Sequence, residues 1–248
     1  MRIIHMSDLH LTKDGCPIWE TNTMDHFNMS IEIIRGMKDI DAIIVTGDIS
    51  DDGSIWTYQY ADKKFASIGI STFCCPGNHD SLKVMLDDHR PSFYKILPPA
   101  SVICGWKIVM LNSVTPADED PNQNKARGFL SENSMSYVKQ ELDEGLPTII
   151  ALHHPTQEPG GWLNRKLLDN RNEFNNMICN YDNARLVIYG HTHYFTDVQF
   201  GHVRYSSSTA VGFAFNKDIP KFQINDGLEG FSLIEMTNND ISIRNILL

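Results

Sequence analysis

The chain has 248 residues, 42% of them hydrophobic and 21% charged, a balance that suits one globular domain over 1–248 and excludes a disordered or fibrous chain. Its 31 acidic against 21 basic residues give a formal charge of -10, so the electrostatic footprint of a protein that grips nucleic acid or an anionic membrane is missing. An anionic substrate would need a local source of positive charge.

Met1-Arg2-Ile3-Ile4-His5 opens no apolar stretch of signal-peptide length, and no later run approaches the roughly 18 apolar residues of a membrane span, so a soluble, cytoplasmic protein is expected. Arg2 to Ser7 reads as a short strand. Met24 to Lys38 carries Phe27, Ile31, Ile34 and Lys38 at helical spacing. Ala42-Ile43-Ile44-Val45 is a continuous β-branched run, the pattern of a strand covered on both faces, and it ends in Thr46-Gly47-Asp48. Ser54 to Ile68 is helical in pattern, and Ile70 to Cys75 is a strand stopped by Pro76-Gly77. Trp106 to Leu111 is a strand, Ser131 to Glu144 a helix with a Ser cap, and Thr148 to Leu152 another apolar strand. Asn172 to Tyr181 is read as helix and Arg185 to Tyr189 as strand. From Asp197 onward short alternating strands take over, at 198–200, 203–206, 231–236 and 241–247. The order predicts a layered α/β domain with a mixed sheet or two packed sheets. Five cysteines, at 16, 74, 75, 104 and 179, lack metal-ligand spacing and read as structural thiols.

Polar clusters follow five of the predicted strands: Asp8-Leu9-His10, Gly47-Asp48, Gly77-Asn78-His79-Asp80, His153-His154-Pro155 and Gly190-His191-Thr192-His193. Carboxyl ends of strands are where open α/β sheets place ligands, so the clusters are expected to converge. Each alone has an ordinary explanation, since Gly-Asp is a common turn dipeptide and an Asp-x-His at a strand end is usually a hydrogen-bonded turn. Five in order favour a metal site. Oxygen and imidazole donors without cysteine suit Mn, Fe, Zn or Co rather than a structural thiolate zinc. The period-2 spacing of Asp8-x-His10 and His191-x-His193 would aim both side chains one way if the segments stayed extended. Glycines 47, 77 and 190 would permit sharp turns off the strands.

In this order the motifs resemble the calcineurin-like metallophosphoesterase superfamily over positions 8 to 193. More narrowly, Leu152-His153-His154-Pro155, Trp162-Leu163, Leu168, Asn170, Glu173-Phe174 and Gly190-His191-Thr192-His193 resemble the bacterial class III 3',5'-cyclic-nucleotide phosphodiesterases, as do Ser208-Thr209 through Phe213 and the closing strands. The resemblance implies an α/β/β/α sandwich of two packed mixed sheets flanked by helices, with a dinuclear site of two divalent ions. Asp8, His10 and His193 would hold the first ion, Asn78, His153 and His191 the second, and Asp48 would bridge them. His79 would stand beside the phosphate and protonate the leaving oxygen or stabilise the transition state, with Asp80 orienting it; Asn78 would also meet the phosphate. Two cations answer the charge problem, because they neutralise the diester and acidify a bound water.

Departures narrow the class. Gly47-Asp48-Ile49-Ser50-Asp51-Asp52-Gly53 lacks the Arg of the superfamily's protein phosphatases, and His79 stands where the lipid A pyrophosphohydrolases carry Arg. Thr156 replaces a second Pro after the His-Pro motif, and Tyr194-Phe195 follows His193. Trp19, Trp56 and Trp106 read as packing, whereas Trp162, in a loop after the histidines, is a candidate for the substrate pocket; His154 is a candidate either to meet a phosphate oxygen or to support the site's ligands from behind. His5, His26, His89 and His202 read as structural, and Ala117 to Asp120 as a solvated loop. The expected activity is hydrolysis of 3',5'-cyclic nucleotides, cAMP first, to 5'-monophosphates. The alternatives are a broader diesterase acting on glycerophosphodiesters, a catalytically silent scaffold, disfavoured by the complete ligand set, and a nuclease, disfavoured by charge. The surface of the C-terminal strands is a candidate for pairing two copies.

Overall fold

The continuous apolar runs form the inner strands of two six-stranded mixed sheets. In the computed structural model, residues 1–86, 93–115, 126–158, 160, 163–164, 166–219, 221–225, 227–237 and 240–248 are described. His89, Ala117 to Asp120 and Trp162 lie outside them, so the pocket role expected of Trp162 has no structural counterpart here. The elements in chain order are β1 (Arg2–Met6), α1 (Thr23–Arg35), β2 (Ala42–Thr46), α2 (Ile55–Ile68), β3 (Thr72–Cys75), α3 (Leu82–Met85), β4 (Lys95–Ile96), β5 (Ser101–Ile103) and β6 (Trp106–Met110). They continue with α4 (Glu132–Asp143), β7 (Thr148–Leu152), α5 (Arg171–Ile178), β8 (Ala184–Tyr189), β9 (Thr196–Phe200), β10 (Val203–Ser207), β11 (Gly230–Met236) and β12 (Ile241–Leu247).

The first sheet runs β12-β11-β1-β2-β3-β4 and the second β5-β6-β7-β8-β10-β9. Their centres are parallel, β1 on β2 on β3 and β6 on β7 on β8, while β11 lies antiparallel to β1, β12 antiparallel to β11, and β9 antiparallel to β10. The late strands therefore divide, one pair completing each sheet.

Successive side chains point to opposite faces, so strands covered on both faces, such as β2 and β7, carry apolar residues at almost every position. Along β2, Ile43 and Val45 meet Phe27, Ile31 and Ile34 of α1 and Tyr58, Ala61 and Phe65 of α2, while Ala42 and Ile44 face the other way. There they join Ile149 and Ala151 of β7 and Leu186 and Ile188 of β8 in a layer drawn from both sheets. Ile150 and Leu152 turn to Val138 and Leu142 of α4 and Phe174 of α5. The layers are thus helix, sheet, sheet, helix, as the resemblance implied. Ser54 and Ser131 cap α2 and α4 by accepting from the N–H groups of Thr57 and Ser134, the second as the sequence predicted. Cys74 and Cys75 are buried in β3, but Cys16 and Cys104 are exposed, so packing does not account for all the thiols. Among the described residues, no helix is long and apolar enough to cross a membrane.

Candidate metal centre

The two sheets bring their strand ends together, and the five polar clusters meet there. Asp8 and His10 follow β1, Asp48 follows β2, Asn78 and His79 follow β3, His153 follows β7, and His191 and His193 follow β8. The first sheet thus supplies five of these residues and the second three.

The backbone does not deliver them by staying extended. Asp8, His10, Asp48, His191 and His193 all adopt left-handed φ, at 53°, 46°, 52°, 68° and 55°. The expectation of an extended Asp8-x-His10 and His191-x-His193 is therefore corrected: each pair converges through two left-handed residues. A left-handed non-glycine residue costs about 1–2 kcal/mol, and such outliers gather where function requires them. Of the three glycines, only Gly47, at φ 92°, makes the left-handed turn expected of it. Gly77 and Gly190 are needed for closeness, since a Cβ on either would overlap Asp48 Oδ1 or Ser7 Oγ.

Two groups of donors result. In one, His193 Nε2 lies 3.3 Å from Asp8 Oδ1 and 3.2 Å from His10 Nε2. In the other, His153 Nε2 lies 3.0 Å from Asn78 Oδ1 and 3.1 Å from His191 Nδ1. Asp48 stands between them, its Oδ2 3.7 Å from His10 Nε2 and 3.4 Å from His153 Nε2. Its Oδ1 accepts the His79 N–H at 2.8 Å, which leaves Oδ2 for the gap.

The tautomers follow from what holds each ring. His153 Nδ1 donates to the carbonyl of Thr46 at 2.7 Å, His193 Nδ1 to the carbonyl of Phe213 at 2.7 Å, and His10 Nδ1 to Asp51 Oδ1 at 2.9 Å. Carbonyls and carboxylates only accept, so each Nδ1 carries the proton and each neutral Nε2 presents a lone pair to the centre. The lone pairs of His10 and His193 then face each other at 3.2 Å, a repulsive arrangement unless a cation or a proton lies between. Burial lowers the pKa of His10, and burial together with the neighbouring imidazoles lowers that of His191 further, which disfavours protons and favours ligand-competent neutral rings. His191 Nε2 is buried with no partner among the described residues. Asp8, His10 and His193 form one group with donor atoms close enough to hold a metal ion, and Asp8, Asp48 and His153 form another. The residues present fit divalent cations.

His79 stands at the edge of the centre with its side chain 43% exposed, edge-on to the His10 ring at 4.7 Å. Asp51 Oδ1 accepts its Nδ1 proton at 3.0 Å. Burial works against the charged ring, but the bond to Asp51 and the carboxylates of Asp48, Asp51 and Asp8 outweigh it and raise His79 to about 9 in the metal-free site. The orienting role expected of Asp80 is corrected accordingly. Its carboxylate accepts the N–H groups of Gly77, Ser50 and Ile49 and the Tyr58 hydroxyl, at 2.9 to 3.3 Å, and is spent on holding the β2 and β3 turns together. Asp51, read only as part of an Arg-less run, is the missed residue, and it holds His10 and His79 at once.

An open cleft of about 630 Å³ lies over the centre and includes Asp48, Asn78, His79, His191 and His193 in its lining. His154 does not line it. It is fully buried behind His153 and His191, with Nδ1 2.9 Å from Ser113 Oγ, a position that supports those two rings from behind. Thr156 is buried too. Trp19, read from sequence as packing, is instead 55% exposed and lines the cleft, whereas Trp106 is buried as expected. His5 is buried against Thr46 Oγ1 at 2.8 Å, and burial lowers its pKa to about 3.

Comparison with known proteins agrees with this geometry. The family model for calcineurin-like phosphoesterases matches residues 1–195. The chain is 28% identical over 247 residues to a 3',5'-cyclic-nucleotide phosphodiesterase of Nostoc sp., covering 94% of this chain and 87% of that one. It is 26% identical to the 3',5'-cyclic adenosine monophosphate phosphodiesterase CpdA of Pseudomonas aeruginosa, covering 86% and 77%. Among solved structures, its fold is similar to that of a dimetal phosphatase from Danio rerio, with a TM-score of 0.70 at 10% identity over 98% of this chain and 95% of the other.

Proposed function

This chain belongs to the calcineurin-like phosphoesterase family, and from that premise we propose that it is a dinuclear metal-dependent phosphodiesterase that opens the 3' ester of 3',5'-cyclic nucleotides to give 5'-monophosphates. The observation that carries the reading is the set of three imidazoles whose Nδ1 protons are held by Thr46, Phe213 and Asp51, so that three Nε2 lone pairs and the free oxygen of Asp48 converge. The relatives named as cyclic-nucleotide phosphodiesterases, matched along most of their length, supply the substrate class.

In this assignment Asp8, His10 and His193 would hold one cation, Asn78, His153 and His191 the other, and Asp48 would serve both. When bound, the two cations neutralise the phosphodiester and acidify a water toward a nucleophile at neutral pH. Donors of this kind accept Mn, Fe, Zn or Co.

The chain's own groups do the rest. His79, which lines the cleft and has Nδ1 held by Asp51, donates the proton on Nε2 to the departing 3' oxygen. Asp51 sustains the imidazolium before that transfer and keeps the His10 ring turned so that Nε2 faces inward. Asn78 serves through Oδ1 at the centre and offers its amide N–H to a phosphate oxygen. The negative protein surface is no obstacle, because the charge that attracts the substrate is local.

Metal-reconstituted protein offered cAMP, a 2',3'-cyclic nucleotide and a glycerophosphodiester under one metal regime tests the substrate claim. The expected result is preferential conversion of cAMP to 5'-AMP. Preference for the non-cyclic diester would replace the reading with a broad-specificity diesterase at the same site.

A further inference from the structure

One side of the cleft carries chemistry that metal binding and proton transfer do not use. Trp19, Phe213, Phe215 and Phe222 form a continuous aromatic wall beginning at the metal centre. His193 stacks on Phe215 at 4.1 Å and 9°, and His10 lies 4.7 Å from Phe213. Trp19 meets Phe213 edge-on at 4.9 Å and Phe222 at 4.7 Å, and Phe222 meets Phe215 at 5.1 Å. Phe213 and Phe215 are buried and form the floor, whereas Trp19 is 55% exposed and Phe222 45%, both lining the cleft.

The way Trp19 is held sharpens the point. Ile18 and Thr21 exchange both backbone hydrogen bonds, at 3.0 and 2.8 Å, around a two-residue turn in which Trp19 and Glu20 have φ of 45° and 68°. Two left-handed central residues define a type I′ turn, which Asn-Gly and Asp-Gly fill without strain and which a bulky Trp fills at a cost. Neither burial nor backbone preference explains an exposed indole in this turn. A flat apolar ligand in the cleft does.

We propose that Trp19 and Phe222 are the specificity-determining residues of the site: they take the aromatic base of the substrate by stacking, while its phosphate lies at the metal centre two ring steps away. The inference rests on the phosphodiesterase reading for the position of the phosphate. The occupant is a nucleobase, because the wall is continuous with the metal ligands and ends in exposed π faces. Stacking of this kind tolerates any base, and a purine covers more of the two rings than a pyrimidine.

The test uses Trp19→Asn, which removes the indole and suits the turn, with Trp19→Phe and Phe222→Ala alongside. In metal-reconstituted protein, 5'-AMP is expected to quench wild-type tryptophan fluorescence, and ribose 5-phosphate, which has the phosphate but no base, is expected not to. Trp19→Asn should lose the quench, melt no lower than wild type, and show a KM for cAMP raised roughly ten- to a hundredfold with a much smaller change in kcat. Phe222→Ala should raise KM in the same direction, and Trp19→Phe should restore most of the loss. A Trp19→Asn protein that keeps the quench and the wild-type KM overturns the proposal. Quenching by 5'-AMP without any turnover of cAMP would keep the base subsite and sink the cyclic-nucleotide reading.

Discussion

Replacing Asp48 by Asn separates what this carboxylate does for the fold from what it does for the cations. Asn keeps the Oδ1 acceptor for the His79 N–H at 2.8 Å and tolerates the left-handed φ of 52°. It removes a buried negative charge that sits with Asp8 in one donor group. The metal-free variant should therefore melt at or above the wild-type temperature. Metal binding should differ sharply, since Asp48 Oδ2 stands between both donor groups. A cation at a hundred times its Kd stabilises the native state by about 2.7 kcal/mol, and in a chain of this size each kcal/mol moves Tm by roughly 2–4 °C. Wild type should thus gain about 5–11 °C from saturating one site with manganese, and Asp48→Asn should lose most of that gain. Thermal unfolding of both proteins, with manganese and with chelator, reads the result. A variant that melts well below wild type in chelator yet keeps the full manganese shift would refute the assignment of Asp48 to the centre.

Three further outcomes follow from named contacts. His79→Asn should keep the manganese-dependent Tm shift and lose roughly a hundred- to ten-thousandfold in turnover; loss of the shift would make His79 a ligand instead. Asp51→Asn weakens the hold on both His10 Nδ1 and His79 Nδ1, so metal affinity should fall roughly ten- to a hundredfold and turnover further, and at saturating manganese Asp51→Asn added to His79→Asn should cost turnover little more than His79→Asn alone. Fully additive losses would show that Asp51 does not act through His79. Far from the site, Lys107 is buried in β6, where burial alone would lower its ammonium but Glu141 and Glu144, at 2.7 and 2.6 Å, raise it above its ordinary value. A raised lysine contributes its full stabilisation below the unfolded pKa of about 10.4 and loses it as pH climbs through the higher folded value. As pH rises above about 10.4 the urea midpoint of wild type should therefore fall relative to that of Lys107→Met, and parallel curves would contradict the pairing.

The strands most plainly legible in the sequence are those whose residues are buried on both faces, because a run such as Ala42 to Val45 or Thr148 to Leu152 has no other use for unbroken β-branched and apolar side chains, while the half-exposed β9 and β12 showed only as short alternating runs. Leu82–Met85, Lys95–Ile96 and Ser101–Ile103 were not legible, being too short to display a period. The donor residues announced themselves because Asp, Asn and His recur after successive strands. How the backbone brings them together did not, since the left-handed φ of Asp8, His10, His191 and His193 is imposed by tertiary contacts such as the bonds from the His10 N–H to the Asp48 carbonyl and from the His191 N–H to the Asp8 carboxylate. Asp51 hid in Asp51-Asp52-Gly53, which has the composition of a solvated turn, and adjacency favoured Asp80 over it as the partner of His79. Trp19 hid because nothing local separates an exposed tryptophan from a buried one; its signal was a bulky residue in a two-residue turn between Ile18 and Thr21, visible only once that pairing is known.

The central claim is that a two-cation centre opens the 3' ester of a cyclic nucleotide. Hydrolysis of cAMP by manganese-loaded protein in ¹⁸O-labelled water, followed by mass analysis of the product, tests it most directly. The account predicts 5'-AMP carrying one labelled oxygen on phosphorus, formed with about two manganese ions bound per chain and abolished by Asp48→Asn. Manganese-loaded protein that cleaves a non-cyclic diester at speed and leaves cAMP intact would contradict it.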